Sequence, residues 1–252
     1  MPRIALHIER GADPRTYFSP PPCGGEQRQR ASEARSASGG GPSLTSGTAP
    51  HPDRLASLGS PTSPQGGGYV DDVWLEIGFG AGEHLLEQAR TNPRIGLIGA
   101  EPYEAGVAKL LSKLSLSPIG GEGRGEGVNN LRIHEGDARD IIEALPEASL
   151  GRVFILFPDP WPKTRHHKRR FIQTEMLDAL ARAMKPGAEL RFASDDAGYV
   201  EWTLERAMAH PAFAWTVTGP TDWKTRPAGW PQTRYEAKAL HGPPVYLRFM
   251  RS

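Results

Sequence analysis

From Val73 to the C-terminus the chain alternates apolar runs of strand length with segments of helical spacing, and that alternation leaves few folds open. Val73–Ile77 reads as a strand, and Glu83–Arg90 as a helix with Leu85, Leu86 and Ala89 on one side. Ile95–Ala100 is a second strand, Tyr103–Leu114 a second helix, Leu131–His134 a third strand and Asp140–Leu145 a short helix. Arg152–Phe157 forms a fourth strand. Phe171–Met184 is a helix ended by Pro186-Gly187, Glu189–Ser194 a fifth strand and Tyr199–Ala209 a further helix. Phe213–Thr218 and Val245–Met250 form a late strand pair separated by a polar, Trp-rich segment. Alternation of this kind builds a parallel sheet covered on both faces, and a late pair adds an antiparallel edge. The expectation is an α/β fold: a mostly parallel seven-stranded sheet, helices on both faces and an antiparallel edge strand.

The N-terminal quarter has another texture. Ile4–Ile8 reads as a short strand, but thirty of the fifty residues from 19 to 68 are Gly, Pro, Ser or Thr. Such a stretch buries too little apolar surface to offset its ordering entropy. The expected organisation is therefore a disordered low-complexity extension over 1–68 and a domain over 69–252, interrupted by a flexible Gly-rich insertion at 115–127. Ser117-Pro118-Ile119-Gly120-Gly121-Glu122 echoes the stretch from Ser19 to Glu26 without any hydrophobic period, so it reads as inserted low-complexity sequence.

The totals exclude more than they identify. Net charge is +1, so nucleic-acid binding requires a local basic patch. A single cysteine, Cys23, excludes a disulfide framework and a cysteine-based zinc site, and no metal is expected. No apolar run is long enough to span a membrane, and no apolar segment with a cleavage site opens the chain, so a cytoplasmic protein is expected.

Gly78-Phe79-Gly80-Ala81-Gly82 follows the first strand and opens a helix. Glycine there allows a sharp turn and close approach of backbone to a ligand. The spacing differs from the G-x-G-x-x-G of dinucleotide sites, which disfavours a nicotinamide-dependent oxidoreductase. A purely structural turn explains the glycines equally well. Three acids sharpen the reading: Glu76 inside the first strand, Glu101 closing the second and Asp137 closing the third. A carboxylate at the end of the second strand suits a ribose diol, because it accepts from both hydroxyls. Each acid alone is a solvated strand end. The ordered set resembles the S-adenosylmethionine site of Rossmann-like methyltransferases.

The fourth strand runs into Phe157-Pro158-Asp159-Pro160-Trp161-Pro162-Lys163-Thr164-Arg165-His166-His167-Lys168-Arg169-Arg170. Prolines on both sides hold Asp159 without a large ordering cost, and Trp161 offers a face for a base to stack on. Five of the eight residues 163–170 are Lys or Arg. Such a run is a solvated loop on its own and a phosphate grip beside a ligand site.

That segment resembles the signature of bacterial tRNA (guanine-N7)-methyltransferases. Ala193-Ser194-Asp195 is similar to the family's Ala-Thr-Asp, and Thr233-Arg234-Tyr235-Glu236-Ala237-Lys238 to its late T-[KR]-[FY]-E-x-[KR] motif. The resemblance implies a class I methyltransferase fold, S-adenosylmethionine as donor, and methylation of N7 of the variable-loop guanine, position 46 in tRNA numbering. It implies a cofactor-binding set of Glu76, Gly78, Gly80, Gly82, Glu101, Asp137 and Asp159, with Asp159 also catalytic. It implies a substrate-binding set of Lys163, Arg165, Asp195, Thr233, Arg234, Tyr235 and Glu236, with Lys168–Arg170 adding phosphate contacts. It further implies tRNA as partner and a monomer. Two positions depart from the pattern: no dense Arg-rich stretch precedes the first strand, and Asp196 stands where the family often has Trp. The competing readings are a non-catalytic RNA-binding relative and a methyltransferase with another substrate.

Overall fold

In the computed structural model, residues 9–18, 70–115, 128–238 and 240–252 are described. The expected strand at Ile4–Ile8 and the expected disorder over 19–68 lie outside the described residues, as does the 115–127 insertion beyond Ser115.

The apolar runs pair into one sheet. Its strands are β1 (Asp72–Ile77), β2 (Ile95–Glu101), β3 (Leu131–Glu135), β4 (Leu150–Leu156), β5 (Met184–Ser194), β6 (Phe213–Trp215) and β7 (Val245–Arg251). The order is β3-β2-β1-β4-β5-β7-β6. The first five are parallel, whereas β7 pairs antiparallel with β5 and β6 antiparallel with β7. The seven-stranded expectation is met, and the antiparallel part comprises two strands.

Four helices connect the parallel strands, α1 (Glu83–Thr91), α2 (Glu104–Ser115), α3 (Ala138–Ala144) and α4 (Thr174–Ala183), and α5 (Ala197–Ala209) leads from β5 to β6. Alternation along β1 divides them. Val73, Leu75 and Ile77 pack with α3, α4 and α5 on one face, whereas Trp74 meets the cluster of α1 and α2 on the other. Covered on both faces, β4 buries Val153, Phe154 and Ile155 completely, which explains its continuous apolar run. The strand order reverses between β1 and β4, so a crevice opens at their carboxyl ends. Before β1, the turn of 3-10 helix Pro14–Phe18 docks on β2 and β3: a Cβ on Gly96 would lie 2.5 Å from the Phe18 ring, and Arg132 Nε donates to the Tyr17 carbonyl.

Three expected boundaries move. The helix expected from Phe171 begins at Thr174, after an extended Gln173 at the N-cap, and the Phe171 and Ile172 amides ahead of it donate to the buried Tyr199 hydroxyl, at 2.8 and 3.3 Å. That hydroxyl is pushed up to about 12 by burial. Pro186-Gly187 does not separate helix from strand. β5 starts at Met184, and the proline and glycine lie in a bulge where the register jumps from Leu150–Met184 to Arg152–Glu189. Finally, α3 starts at Ala138 because the Asp137 side chain caps it, accepting from the Arg139 amide at 2.9 Å. The Trp-rich segment between β6 and β7 carries two short helices, α6 (Thr221–Lys224) and α7 (Arg234–Lys238).

Candidate active site

The three glycines after β1 all have positive φ, and each is needed for its own reason. Beside Gly78 (φ 71°) a Cβ would meet nothing, so backbone conformation alone demands glycine. At Gly80 a Cβ would lie 2.9 Å from the Tyr235 ring, which roofs the turn. At Gly82 it would lie 2.6 Å from Leu110, a packing contact with α2.

Glu101, 4% exposed, clamps this turn. Its carboxylate accepts the Gly80 amide at 2.7 Å and the Tyr103 amide at 3.0 Å. A carboxylate has about four acceptor positions, so capacity remains for two more donors. Glu76 is sunk deeper: it is 2% exposed, and its Oε2 meets His84 Nδ1 at 2.7 Å. The His84 ring lies edge-on to Phe154 and Trp230, with centroids at 4.7 and 4.8 Å. Asp137 takes both the Arg139 amide and Arg139 Nη1.

Beyond β4 the chain is strained. Phe157 and Trp161 have φ of 51° and 45°, a conformation that bulky residues rarely adopt. Between them, Pro158 and Pro160 flank the exposed Asp159. Among the described residues none hydrogen-bonds or ion-pairs with the Asp159 carboxylate. The strained segment is tied down at both ends: the Phe157 amide donates to the Ala193 carbonyl, and Arg170 Nε donates to the Pro160 carbonyl. Arg170 is only 3% exposed, spends Nη1 on the Gly198 carbonyl and lies over Tyr199 and Trp202. This corrects the expectation that Arg170 grips phosphate; it is an internal brace. One face of Trp161 is likewise covered by the Arg169 guanidinium, 4.7 Å from the ring centroid.

A cavity of about 380 Å³ lies at the carboxyl ends of β1, β2 and β4. It gathers Gly78, Gly80, Glu101, Asp137 and Asp159 from the expected cofactor set, and Arg234 and Tyr235 from the expected substrate set. Glu76 and Gly82 support the turn from behind. Lys163 and Arg165 are exposed on the loop leaving Asp159, Arg165 within the 3-10 turn Thr164–Arg169. Asp195 accepts the His241 amide at 3.2 Å. Thr233 and Glu236 are buried: Thr233 Oγ1 accepts the Glu236 amide, and Glu236 Oε1 accepts from the Tyr246 hydroxyl at 2.6 Å and Arg226 Nη1 at 3.0 Å. Burial first, and the Glu236 carboxylate second, push the Tyr246 hydroxyl well above the ordinary tyrosine range.

Lys109, Arg139 and Phe171 are among the cavity residues that escaped the sequence reading, whereas Arg169 comes from the expected phosphate-contacting run. Lys109 carried a signal, being one turn beyond Gly106, whose bare Cα lets α2 approach the turn: a Cβ there would lie 2.5 Å from the Gly80 carbonyl. The lining fits a zwitterionic nucleoside. It offers a buried carboxylate with spare acceptor capacity for a diol, further acids for cationic groups, and a bare glycine wall. Among the described residues no three His, Cys, Asp or Glu side chains are grouped to hold a metal ion, and no helix is long and apolar enough to cross a membrane.

The sheet order, the antiparallel β7 and the crevice beyond a Gly-rich turn define a class I methyltransferase fold. The solved structure of the 16S rRNA methyltransferase KamB shares it, with a TM-score of 0.51 at 20% identity over 73% of this chain and 89% of that one. The family model described as "Putative methyltransferase" matches residues 71–245. The tRNA (guanine-N(7)-)-methyltransferase of Rhodospirillum rubrum is 54% identical over 184 residues, covering 72% of this chain and 69% of the relative. That of Roseobacter denitrificans is 53% identical over 181 residues, covering 71% and 73%. The chain belongs to the bacterial tRNA (guanine-N7-)-methyltransferase family and is a methyltransferase.

Proposed function

We propose that this enzyme methylates N7 of a tRNA guanine, the variable-loop guanine at position 46, with S-adenosylmethionine as donor. One observation carries the reading: an exposed Asp159 carboxylate, without a partner among the described residues, shares a cavity with the clamped Gly-rich turn and with Arg234 and Tyr235 of the late motif. When bound, S-adenosylmethionine supplies an electrophilic sulfonium methyl. Glu101 and Asp137 hold the nucleoside portion, and Gly78 and Gly80 let it approach the backbone, while Glu76 and Gly82 keep the turn in shape.

Guanine N7 has a lone pair and no proton at neutral pH, so no residue has to act as a base before attack. Asp159 instead accepts from the guanine N1–H and N2–H edge, aligns the base and stabilises the positive charge that the base acquires. Its two flanking prolines and strained neighbours hold the carboxylate ready. Lys163, Arg165 and Arg234 meet phosphates. Asp195 orients the loop through His241, and Thr233 and Glu236 build the turn that presents Arg234 and Tyr235. The test is purified protein with labelled S-adenosylmethionine and unmodified tRNA, followed by nucleoside analysis. The expected product is 7-methylguanosine. Label in another nucleoside, or none with tRNA still bound, overturns the reading.

A further inference from the structure

A second cavity, of about 250 Å³, lies under the 216–230 segment against β5 and β7. Nothing in the proposed reaction uses it. Its walls and floor include Trp215, Trp223, Trp230 and Tyr246, and its exposed rim carries Thr221, Asp222 and Arg226. The space suits one planar ring system between aromatic walls.

The polar groups decide what kind of ring. Three arginines line the cavity, but each has a partner. Arg191 pairs with Glu189 at 2.9 Å, Arg226 with Glu236 at 3.0 Å, and Arg248 Nε donates to Thr216 Oγ1 at 2.9 Å. A hydroxyl leaves the Arg248 charge in place, and Glu189, 3.9 Å away, is shared with Arg191 and Arg152, so it is Asp222 at the rim that brings the carboxylates to three against the three cavity arginines, while each guanidinium retains N–H donors for a neutral acceptor. At the rim, Asp222 is held anionic by the Thr218 hydroxyl and amide, both donating to Oδ2. An anion there repels phosphate and accepts N–H groups. Aromatic walls with donors on one side and an acceptor on the other match the hydrogen-bonding edge of a nucleobase.

Resting on the reading of tRNA as substrate, we propose that this cavity captures a second, unpaired nucleobase of the same RNA, separate from the methylated guanine. The connection between the two sites is visible in the side chains. Arg226 and Tyr246 both line this cavity and both hold Glu236 Oε1. Glu236 lies in α7, whose Arg234 and Tyr235 line the larger cavity. A base seated here therefore touches the two residues that fix the roof of the methylation site.

The experiment uses the full chain and tRNA transcripts. Thr221→Trp fills the cavity from its exposed rim, and Trp223→Ala removes one wall. Both are expected to raise KM for tRNA about tenfold, the loss of one stacked base. S-adenosylhomocysteine affinity by calorimetry and the melting temperature of Thr221→Trp should stay at the wild-type values. Transcripts with single abasic positions in the unpaired loops then locate the base. One position should raise the wild-type KM by the same factor and add nothing in Thr221→Trp. Wild-type KM in both variants, or full additivity at every abasic position, overturns the subsite while leaving the methylation reading intact. A wild-type protein that leaves tRNA unmethylated overturns that reading and this proposal together.

Discussion

Two carboxylates on one cavity are held in opposite ways. Glu101 is buried and receives two backbone amides, whereas Asp159 is exposed and has no partner among the described residues. The first belongs to the half of the sheet built from β1–β3, where Glu76 and Glu101 are absorbed into the fold. The second belongs to the half from β4 onward, where a strained loop carries its acid outward. A group already anchored by backbone amides presents its remaining acceptor positions in a fixed shape and suits a ligand that never varies. A group left unsatisfied gains most when a partner arrives, and so suits a large substrate that comes and goes.

The contrast breaks most visibly in turnover. Asp159→Ala is expected to lower kcat by about 10²–10³, the usual cost of one transition-state electrostatic contact, while S-adenosylhomocysteine affinity stays within about threefold. Single-turnover rates beside calorimetry check this, and retained turnover would make Asp159 no different from a surface acid.

Glu101→Ala should do the reverse. Leaving the Gly80 and Tyr103 amides without an acceptor costs about 2–4 kcal/mol of stability in urea, and cofactor-product affinity should fall with it. Arginines that are neighbours in sequence sharpen the same point. Arg170→Ala, which strips the Pro160 and Gly198 carbonyls of a buried donor, should cost about 2–3 kcal/mol of stability. Arg165→Ala should leave stability within about 0.5 kcal/mol while lowering tRNA affinity severalfold and flattening its salt slope by about one.

The smallest effect concerns pH. The Tyr246 hydroxyl is favoured in its protonated form, because burial and Glu236 raise it in the folded state. Its contribution is therefore constant below about pH 10 and is lost as pH rises further, at up to ~1.4 kcal/mol per pH unit. Tyr246→Phe should make the alkaline stability profile shallower by that slope. An unchanged profile would show that Glu236 does not hold the hydroxyl.

How much of this was legible in the sequence depends on whether a feature is local. The strands could be read from their apolar runs, and the Gly-rich turn from its spacing, because both depend on neighbouring residues. The bulge in β5 could not, because a register jump belongs to the pairing with β4 and not to Pro186 or Gly187 alone. Nor could the inward turn of Arg170. It sits in a run of like residues, and only Tyr199 and Trp202, some thirty positions on, show that one member faces the core. Glu236 was legible as part of a motif, but its partners Arg226 and Tyr246 stand ten residues away on either side, in elements with no periodic link to it. His84 was missed for the same reason: its partner Glu76 precedes a turn that no helical spacing crosses.

The left-handed residues have a consequence for anyone who evolves this enzyme toward heat resistance. Ala148, exposed and at φ 50°, is strained in a turn whose amide donates to the Arg182 carbonyl, and glycine there relieves about 1 kcal/mol while keeping that bond. Phe157 and Trp161 store the same kind of strain on either side of Asp159. Glycine at either would also forfeit packing, of Phe157 against Phe154 and Ala193 and of Trp161 against Arg169, which costs more than the roughly 1 kcal/mol of strain it relieves. A selection for survival alone therefore takes glycine at Ala148 and keeps the strained aromatics, so the loop that carries Asp159 is held by packing and not by backbone preference.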